Sequence, residues 1–411
     1  MSGNVPAIRF AGFTEPWEQR KLGDITHRIT RKNEGESNLP LTISAQYGLV
    51  DQRTFFNNQV ASRDMSGYYL LRRGEFAYNK STSGDSPWGA VKRLEKYEKG
   101  CVSTLYICFG LDGTDPGYLV TYYETDRWYK AVQMIAAEGA RNHGLLNIAP
   151  DDFFDTVLTL PSSRGEQKLI GTLFAHIDNL ITLHQRKHDQ LATLKKSLLD
   201  KMFPKPGSDV PELRFAGFAE PWEQRKLGEL CEVKDSARVP NSLWGESGIP
   251  YIRASDLSNN NMNGVLFLSP DTFDFYSTLT GNPVKGDVLF NGGGEIGKAY
   301  LLTEKSQVYV QGGAVLYART SESQSLDGQF LEVAFESNEV RSYIEVAAAG
   351  GTMKHFTLSP ARTLPLCVPC MPEQQAIGTL FSRLDSLITL HQRKHDQLAT
   401  LKKSLLDKMF V

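Results

Sequence analysis

The chain has 411 residues, of which 41% are hydrophobic and 22% charged, and this length and composition predict a folded protein of two or three domains. Its net charge of −2 gives no electrostatic support for nucleic-acid binding, so a DNA-binding surface would need local positive charge or charge supplied by partners. We find no apolar run near the about 18 residues that cross a bilayer, no signal-peptide pattern and no disulfide framework among five cysteines, which together predict a cytoplasmic protein.

The first segment of the chain returns in its second half. Residues 5–23 recur at 210–228 with 16 of 19 positions identical, and residues 180–203 recur without a change at 387–410. Residues 203–211 carry three prolines and a glycine, which predict a helix end and a linker. The sequence therefore predicts an internal repeat of arm, variable middle and long helix. The expected parts are domains at 1–160 and 206–369 and helices at 161–205 and 370–411.

The variable middles, about 25–160 and 230–367, share only short similarities. Gly74–Asn79 parallels Gly286–Asn291, and each middle ends in a strand-like run and a proline before Glu-Gln opens the helix. A common scaffold with different loops is what two related domains with different targets would show. Trp17 and Trp222, in the repeated arms, are interpreted as core anchors, whereas Trp88 could lie in the core or contact a ligand.

Each long helix carries apolar residues spaced alternately by three and four, which is the pattern of a coiled-coil seam. The seam is interrupted at His184 and Lys187, and the two copies are expected to pair antiparallel about a pseudo-two-fold axis. A helix from about 163 to 202 would span roughly 60 Å. The alternative is that each helix packs on its own domain. The expected pairing residues are Ile170, Leu173, Ile177, Leu180, Leu191, Leu194, Leu198, Ile377, Leu380, Leu384, Leu387, Leu398, Leu401 and Leu405.

Each motif that suggests catalysis or metal binding lacks a residue that the chemistry requires. Gly292–Lys298 resembles a phosphate loop, but Ala299 stands where a Mg²⁺-binding Ser or Thr is needed, and a glycine-rich turn between two strands is the better interpretation. Cys367 and Cys370 make only half of a zinc site, and the paired helix histidines have no third ligand nearby. The sequence therefore predicts neither a catalytic residue nor a metal ligand.

Loops of both middles offer residues that could read DNA. Base edges are recognised by paired donors and acceptors, which Arg, Lys, Asn, Gln and Ser supply. Any one of these residues could equally be a solvated loop residue, but matching positions in both halves give the set more weight. The candidates in the first middle are Ser44, Gln46, Tyr47, Asn79, Lys80, Ser81, Ser83, Arg141, Asn142 and His143. The candidates in the second middle are Arg253, Ser255, Asn291, Lys298, Thr352, Lys354 and His355.

Because these motifs follow one another in the same order in both halves, the chain resembles the specificity (S) subunits of type I restriction–modification systems, the HsdS family, over its whole length. The resemblance rests on the repeated arms, the strand 286–291 with its glycine-rich turn, the segment 351–355 and the Glu-Gln-x-x-Ile-Gly-x-Leu start of the second helix. The first half departs from the pattern at Lys80–Gly84, where the glycine-rich turn is replaced. Its contact residues are therefore harder to transfer.

The resemblance implies an α+β fold with two target-recognition domains joined by two long antiparallel coiled-coil helices. It implies a non-catalytic chain in which each domain reads half of a bipartite DNA target and the helices set the spacer. Two modification subunits would methylate adenine N6 with S-adenosylmethionine, and two translocase–nuclease subunits would use ATP and Mg²⁺. The chain itself would bind no cofactor. The alternatives are a coiled-coil scaffold with protein- or glycan-binding domains, and a nucleotide hydrolase using Gly292–Lys298.

Overall fold

The computed structural model describes residues 4–44, 47–56, 64–84, 86–136, 144–304, 307–348 and 354–411. The chain divides into two compact units, the first formed by 1–184 with 393–411 and the second by 185–392. Both units mix helices and sheets, which confirms the expected fold class. The two long helices are each divided between the units, so each unit contains a segment of both repeats.

The first unit begins with short strands and ends in a long helix. Its elements are β1 (Glu18–Lys21), β2 (Thr26–Ile29), β3 (Leu41–Ser44), β4 (Gly48–Asp51), α1 (Gln52–Phe56), β5 (Tyr69–Arg72), β6 (Phe76–Asn79), β7 (Ala90–Arg93), β8 (Lys99–Val102), β9 (Ile107–Leu111), α2 (Pro116–Tyr122), α3 (Tyr129–Ile135), α4 (Pro150–Phe154), β10 (Val157–Leu160) and the first part of α5 (Arg164–Met202). The central sheet has the order β2-β9-β6-β7, and β1 pairs antiparallel with β10.

The second unit repeats this plan with its own loops. Its elements are β11 (Glu223–Lys226), α6 (Leu227–Leu230), β12 (Val233–Asp235), β13 (Ile249–Ile252), α7 (Ala254–Ser258), β14 (Leu266–Leu268), α8 (Pro270–Thr280), β15 (Val288–Asn291), β16 (Ala299–Leu301), β17 (Tyr309–Val310), β18 (Val315–Ala318), α9 (Gly328–Ala334), α10 (Asn338–Ala347), α11 (Leu358–Arg362), β19 (Pro365–Val368) and the first part of α12 (Met371–Met409). The central sheet has the order β12-β18-β15-β16, and β11 pairs antiparallel with β19. The order of strands in the central sheet is thus the same in both units.

The repeated arms form the strand that closes each domain against its helix. Trp17 and Trp222, just before β1 and β11, are 2% and 3% exposed, which confirms that both are core anchors. Trp88 is half-buried and packs against the core of the first unit. Indole burial of this extent is a large apolar contribution to each core.

In each unit the end of one long helix packs beside the start of the other. In the first unit, Ile170 and Phe174 near the start of α5 share a core with Phe410 at the end of α12. In the second unit, Phe203 at the end of α5 shares a core with Ile377 and other residues near the start of α12. The helix segments within each unit therefore run antiparallel, as the sequence predicted.

The seam between the helices differs from the predicted one. Leu180, Leu194, Leu387 and Leu401 are 43–48% exposed, so their predicted pairing role is wrong. The less exposed stripe of α5 instead has the same three–four spacing but passes through Ile170, Phe174, Ile177, Ile181, His184, His188, Leu191, Lys195 and Leu198. A search for apolar residues selected the leucines and passed over the polar members of the true stripe. Among the other predicted residues, Ile170, Ile177, Ile377 and Leu384 are buried, and Leu173, Leu191, Leu198, Leu380, Leu398 and Leu405 are half-buried.

The Glu-Gln pair that opens each helix ties it to the arm and to the domain. Glu373 is fully buried and accepts from Nε and an Nη of Arg214 at 2.7 and 2.8 Å, while the next residue, Gln374, accepts from the backbone of Asp327 at 2.9 Å. Four residues after Gln374, a Cβ at Gly378 would lie 2.6 Å from the Cβ of Gln329. The first unit repeats these contacts through Glu166 with Arg9, Gln167 with Asp115, and Gly171 with Gly117.

Replacing Glu373 with alanine is expected to lower the free energy of unfolding of the second unit by about 3–5 kcal/mol, because a largely buried guanidinium would lose its carboxylate. Urea denaturation of the full chain measures this effect. Gln375→Ala is the matched control, since Gln375 is exposed on the same turn and should change stability by less than about 0.5 kcal/mol. Equal denaturation midpoints for both variants would show that the ion pair does not hold the arm to the helix.

Candidate nucleic-acid interface

The glycine-rich segment of the second unit is a turn between two strands, as predicted. It connects β15 to β16, and the amide of Phe356 donates to the carbonyl of Gly292 at 2.8 Å. A Cβ at Gly292 would lie 2.6 Å from the carbonyl oxygen of Phe356, so only glycine permits this approach. The turn therefore holds the segment that carries Lys354 and His355, both exposed.

Asn291, at the end of β15, supports a neighbouring helix. It is fully buried, and its Nδ2 donates at 3.0 Å to the carbonyl of Ala254 and to Oγ of Ser258. Both acceptors belong to α7, which exposes Ser255. Arg253, just before α7, is held by Asp256 through Nε–Oδ2 and Nη–Oδ1 bonds of 2.9 and 3.0 Å. The burial of Asn291 fits a positioning role better than direct contact with a base.

Two of the candidate lysines of the second unit share a cavity. Lys298 and Lys354 line a cavity of about 530 Å³, and its lining also includes Arg341, Glu332 and Glu336. Burial raises the pKa of Glu332, whose carboxylate accepts from the backbone of Leu301 at 2.8 Å. The cavity thus combines three cations with carboxylates, and the exposed Lys354 lies at its margin next to His355. We name Arg253, Ser255, Lys298, Lys354 and His355 the glycine-turn cluster.

In the first unit the strip 79–83 lies beside residues 144–146. The amide of Thr82 donates to the carbonyl of Gly144 at 2.7 Å. The amide of Leu146 donates to the carbonyl of Lys80 at 3.0 Å. The strip 79–83 therefore lies along the chain that directly follows 141–143. Arg141, Asn142 and His143 lie outside the described residues, as do Gln46 and Thr352.

The side chains of this strip are partly engaged in local contacts. Lys80 Nζ donates to the carbonyl of Ile148 at 3.3 Å, and burial lowers the pKa of Lys80. Oδ1 of Asn79 accepts from the amide of Ser81 at 3.1 Å, and Ser83 pairs through its backbone with Ser86. Ser81 and Ser83 themselves are exposed, so their hydroxyl groups remain open to a ligand.

The structure does not bring the turn after β3 to this strip. Ser44 is buried and its Oγ accepts from the amide of Tyr47 at 3.2 Å, while the exposed Tyr47 ring lies 5.7 Å from Nζ of Lys96. Lys96 follows the Arg93 end of β7, whereas Asn79 pairs with the other end of that strand. Tyr47 and Lys96 therefore form a separate surface, and the buried Ser44 supports Tyr47 rather than facing a ligand.

Sequence reasoning missed three charged residues that the structure places among the helices and candidate residues. Lys96 and Arg341 lie in unrepeated segments, so no pattern in the sequence distinguished them from other exposed cations. Lys195 did carry a signal, since it continues the three–four spacing from Leu191 to Leu198. The part of the chain that the structure describes holds no group of three or more His, Cys, Asp or Glu suited to a metal ion. Within that part, no helix is long and apolar enough to span a bilayer.

These features define a class of protein in which two related domains of mixed helix and sheet, each with its own loops, are joined by long helices. Residues 219–400 match the family described as "Type I restriction modification DNA specificity domain". The chain is 21% identical over 276 residues to the type I restriction enzyme MjaVIII specificity subunit of Methanocaldococcus jannaschii, covering 64% of this chain and 63% of that relative. It is 22% identical over 254 residues to the putative type I restriction enzyme MjaX specificity subunit of the same organism, covering 59% of this chain and 56% of the relative.

The fold is similar to that of a solved type I restriction–modification S subunit from M. genitalium, with a TM-score of 0.56, 14% identity and 99% coverage of both chains. Residues 219–400 thus match a type I restriction modification DNA specificity domain, and about three fifths of the chain is similar to type I restriction enzyme specificity subunits. The relatives are named as specificity subunits of type I restriction enzymes. The chain spans about three fifths of the length of the curated relatives it matches.

Proposed function

We propose that this chain is the DNA-reading subunit of a type I restriction–modification enzyme and that each unit reads one part of a bipartite target. The observation that carries the proposal is the repeated central sheet, in the same strand order, with different loops at corresponding places. In the second unit the reading surface is the glycine-turn cluster. In the first unit it is the strip 79–83 with 141–143, and the turn carrying Ser44, Gln46 and Tyr47 is a second contact surface.

The net charge of −2 supports a model in which partner subunits supply part of the electrostatic attraction to DNA. The local cations of each unit would position the chain on phosphates and bases, while partners would supply much of the nonspecific attraction to DNA. We propose two modification subunits that methylate adenine N6 with S-adenosylmethionine and two restriction subunits that use ATP and Mg²⁺. The chain itself would hold no cofactor and would act in the cytoplasm.

The long helices are proposed to set the spacer and to dock the modification subunits. Leu180 and Leu183 on α5 and the equivalent Leu387 and Leu390 on α12 are 43–47% exposed. Residues three apart lie on one face of a helix, so each pair makes a small apolar patch. The same patch at the same place in both repeats fits two copies of one partner.

Mapping methylated adenines tests the proposed function. Cells that contain the chain and its modification subunit are expected to methylate one bipartite sequence, because two readers are held on one scaffold. The purified chain alone, with S-adenosylmethionine or with ATP and Mg²⁺, is expected to show neither methylation nor ATP turnover. Methylation by the isolated chain, or modification without sequence preference in the assembled enzyme, would contradict the proposal.

Alanine at Lys298 or Lys354 is expected to weaken DNA binding by the assembled methyltransferase. Loss of a base contact costs about 1–3 kcal/mol and relaxes specificity at one position, whereas loss of a phosphate contact weakens all sequences and lowers the salt slope by about 1. Affinity measured against salt concentration and target variants distinguishes the two roles. Lys285→Ala is the control, since Lys285 is exposed before the opposite end of β15. Parental affinity and salt slope in both test variants would remove these lysines from the interface.

A further inference from the structure

One lysine of the second unit is buried between two carboxylates from different parts of the fold. The Lys195 side chain, on α5, is 13% exposed. Its Nζ lies 2.7 Å from Oδ1 of Asp385 on α12 and 2.8 Å from Oε2 of Glu336 in the recognition domain. A single ammonium group therefore joins both helix segments and the domain.

The first unit contains the same arrangement with the helices exchanged. The Lys402 side chain, on α12, is 18% exposed, and its Nζ lies 2.6 Å from Oδ1 of Asp178 on α5 and 2.7 Å from Oε2 of Glu124. The lysine always belongs to the helix that ends in the unit, and the aspartate belongs to the helix that begins there. We name these two groups of three residues the lysine clamps.

The domain carboxylates of the clamps lie in segments that otherwise differ. Glu124 stands two residues after α2 and Glu336 two residues after α9, the equivalent helix of the second unit. The position four residues earlier shows the divergence, because Glu332 in α9 corresponds to Val120 in α2. The lysines belong to the identical 24-residue block, but a glutamate at the same place in two divergent domains is an independent observation.

The clamps distinguish one helix alignment from its neighbours. Apolar residues three and four positions apart replace each other when a seam slips by one turn, so leucines alone specify the alignment weakly. The residues one turn from Lys195 are Leu191, Ala192, Leu198 and Leu199, and those one turn from Lys402 are Leu398, Ala399, Leu405 and Leu406. A slip of one turn would therefore face two carboxylates with an apolar side chain and leave a buried lysine unpaired.

The positive charge of Lys195 and Lys402 makes the other helix alignments unfavourable. Burial acts to lower the pKa of Lys195, but the hydrogen bonds that its ammonium group donates to Asp385 and Glu336, with the charges of both carboxylates, outweigh burial and raise it. The same opposing effects raise the pKa of Lys402. Both ammonium groups stay charged at neutral pH, and separating a partly buried charge from its partners is costly.

We infer that Lys195 and Lys402 are positioning residues that fix the alignment of the antiparallel helix segments and the seating of the adjacent recognition domain. One consequence, that the lysine clamps keep the DNA spacer at a single length, rests on the proposed function. The alignment itself is a property of the chain and can be measured without DNA or partner subunits.

The test compares Lys195→Met with Lys196→Met in the full chain. Lys196 is exposed and adjacent, so its replacement removes the same charge without touching the clamp. Spin labels on cysteines placed at the exposed Ser197 and Ser386 report the distance between α5 and α12 inside the second unit. Cys370 is changed to serine in all variants, since it is exposed whereas the other four cysteines are buried.

Pulsed electron spin resonance is expected to give one narrow distance for the parent and for Lys196→Met. Lys195→Met is expected to add a second distance, because a slip of one helical turn moves the two labels about 5.4 Å past each other along the helix axis. A single unshifted distance in Lys195→Met would overturn the inference. A merely stabilising role would lower the melting temperature and leave the distance unchanged, which is the same contrary result.

If Lys195→Met does not fold, the variant that also carries Glu336→Gln and Asp385→Asn removes the unpaired carboxylates. It is expected to fold and still to show two distances, and a single distance would overturn the inference. In the assembled methyltransferase, Lys195→Met should methylate sites with more than one spacer length. Two distances with an unchanged spacer would support the role of Lys195 in fixing the helix alignment. The same result would contradict the proposal that the helices set the spacer. Lys402→Met against Lys403→Met repeats the comparison in the first unit.

Discussion

Replacing residues 26–155 with the corresponding segment of a related specificity subunit is expected to change one half of the methylated sequence completely and to leave the other half intact. The first unit carries its own central sheet and its own candidate loops within this segment, so its reading surface should move as a block. Ending the exchange at residue 155 keeps both β1 and β10, whose pairing joins Glu18 to Leu160. The measurement is sequencing of methylated adenines.

The reciprocal exchange of residues 232–362 is the control for that experiment. It keeps β11 and β19, which pair from Glu223 to Val368, and it should change only the other half of the target. The spacer should keep its length in both exchanges, because neither touches α5 or α12. A single exchange that altered both half-sites would show that the units do not read DNA independently.

Inserting four residues into both long helices is expected to lengthen the unspecified spacer by one or two base pairs. Four residues advance a helix by about 6 Å and rotate it slightly more than one turn, and base pairs are about 3.4 Å apart. The insertions belong after Asp189 and after Asp396, the same position of the two identical blocks. Both helices must be changed, because each unit packs segments of both against each other.

Single-residue insertions at the same two places are the control. One residue rotates the helix by about 100°, which would turn the packed stripe out of contact, so assembly should fail. The four-residue variant should keep the identity of both half-sites, since no loop has been altered. An active four-residue variant with an unchanged spacer would show that something other than these helices sets the distance.

The sequence by itself determined the features that repeat. The two arms, the two helices, the glycine-rich turn and the buried Trp17 and Trp222 followed from identity between the halves and from three–four spacing. These signals are local, because helical periodicity and glycine punctuation act over a few residues. The resemblance to the specificity-subunit family followed from the order of the same segments.

Only the tertiary structure decided which face of each helix packs and which loops meet. Leu180 and Leu194 satisfied the apolar pattern yet are exposed, while Lys195 lies in the packed stripe because carboxylates distant in sequence neutralise it. Asn291 looked like a base-reading residue, but α7 folds over it and makes it a support. Such outcomes depend on contacts between residues 33 to 190 positions apart, and no local pattern in the chain encodes which of these contacts forms.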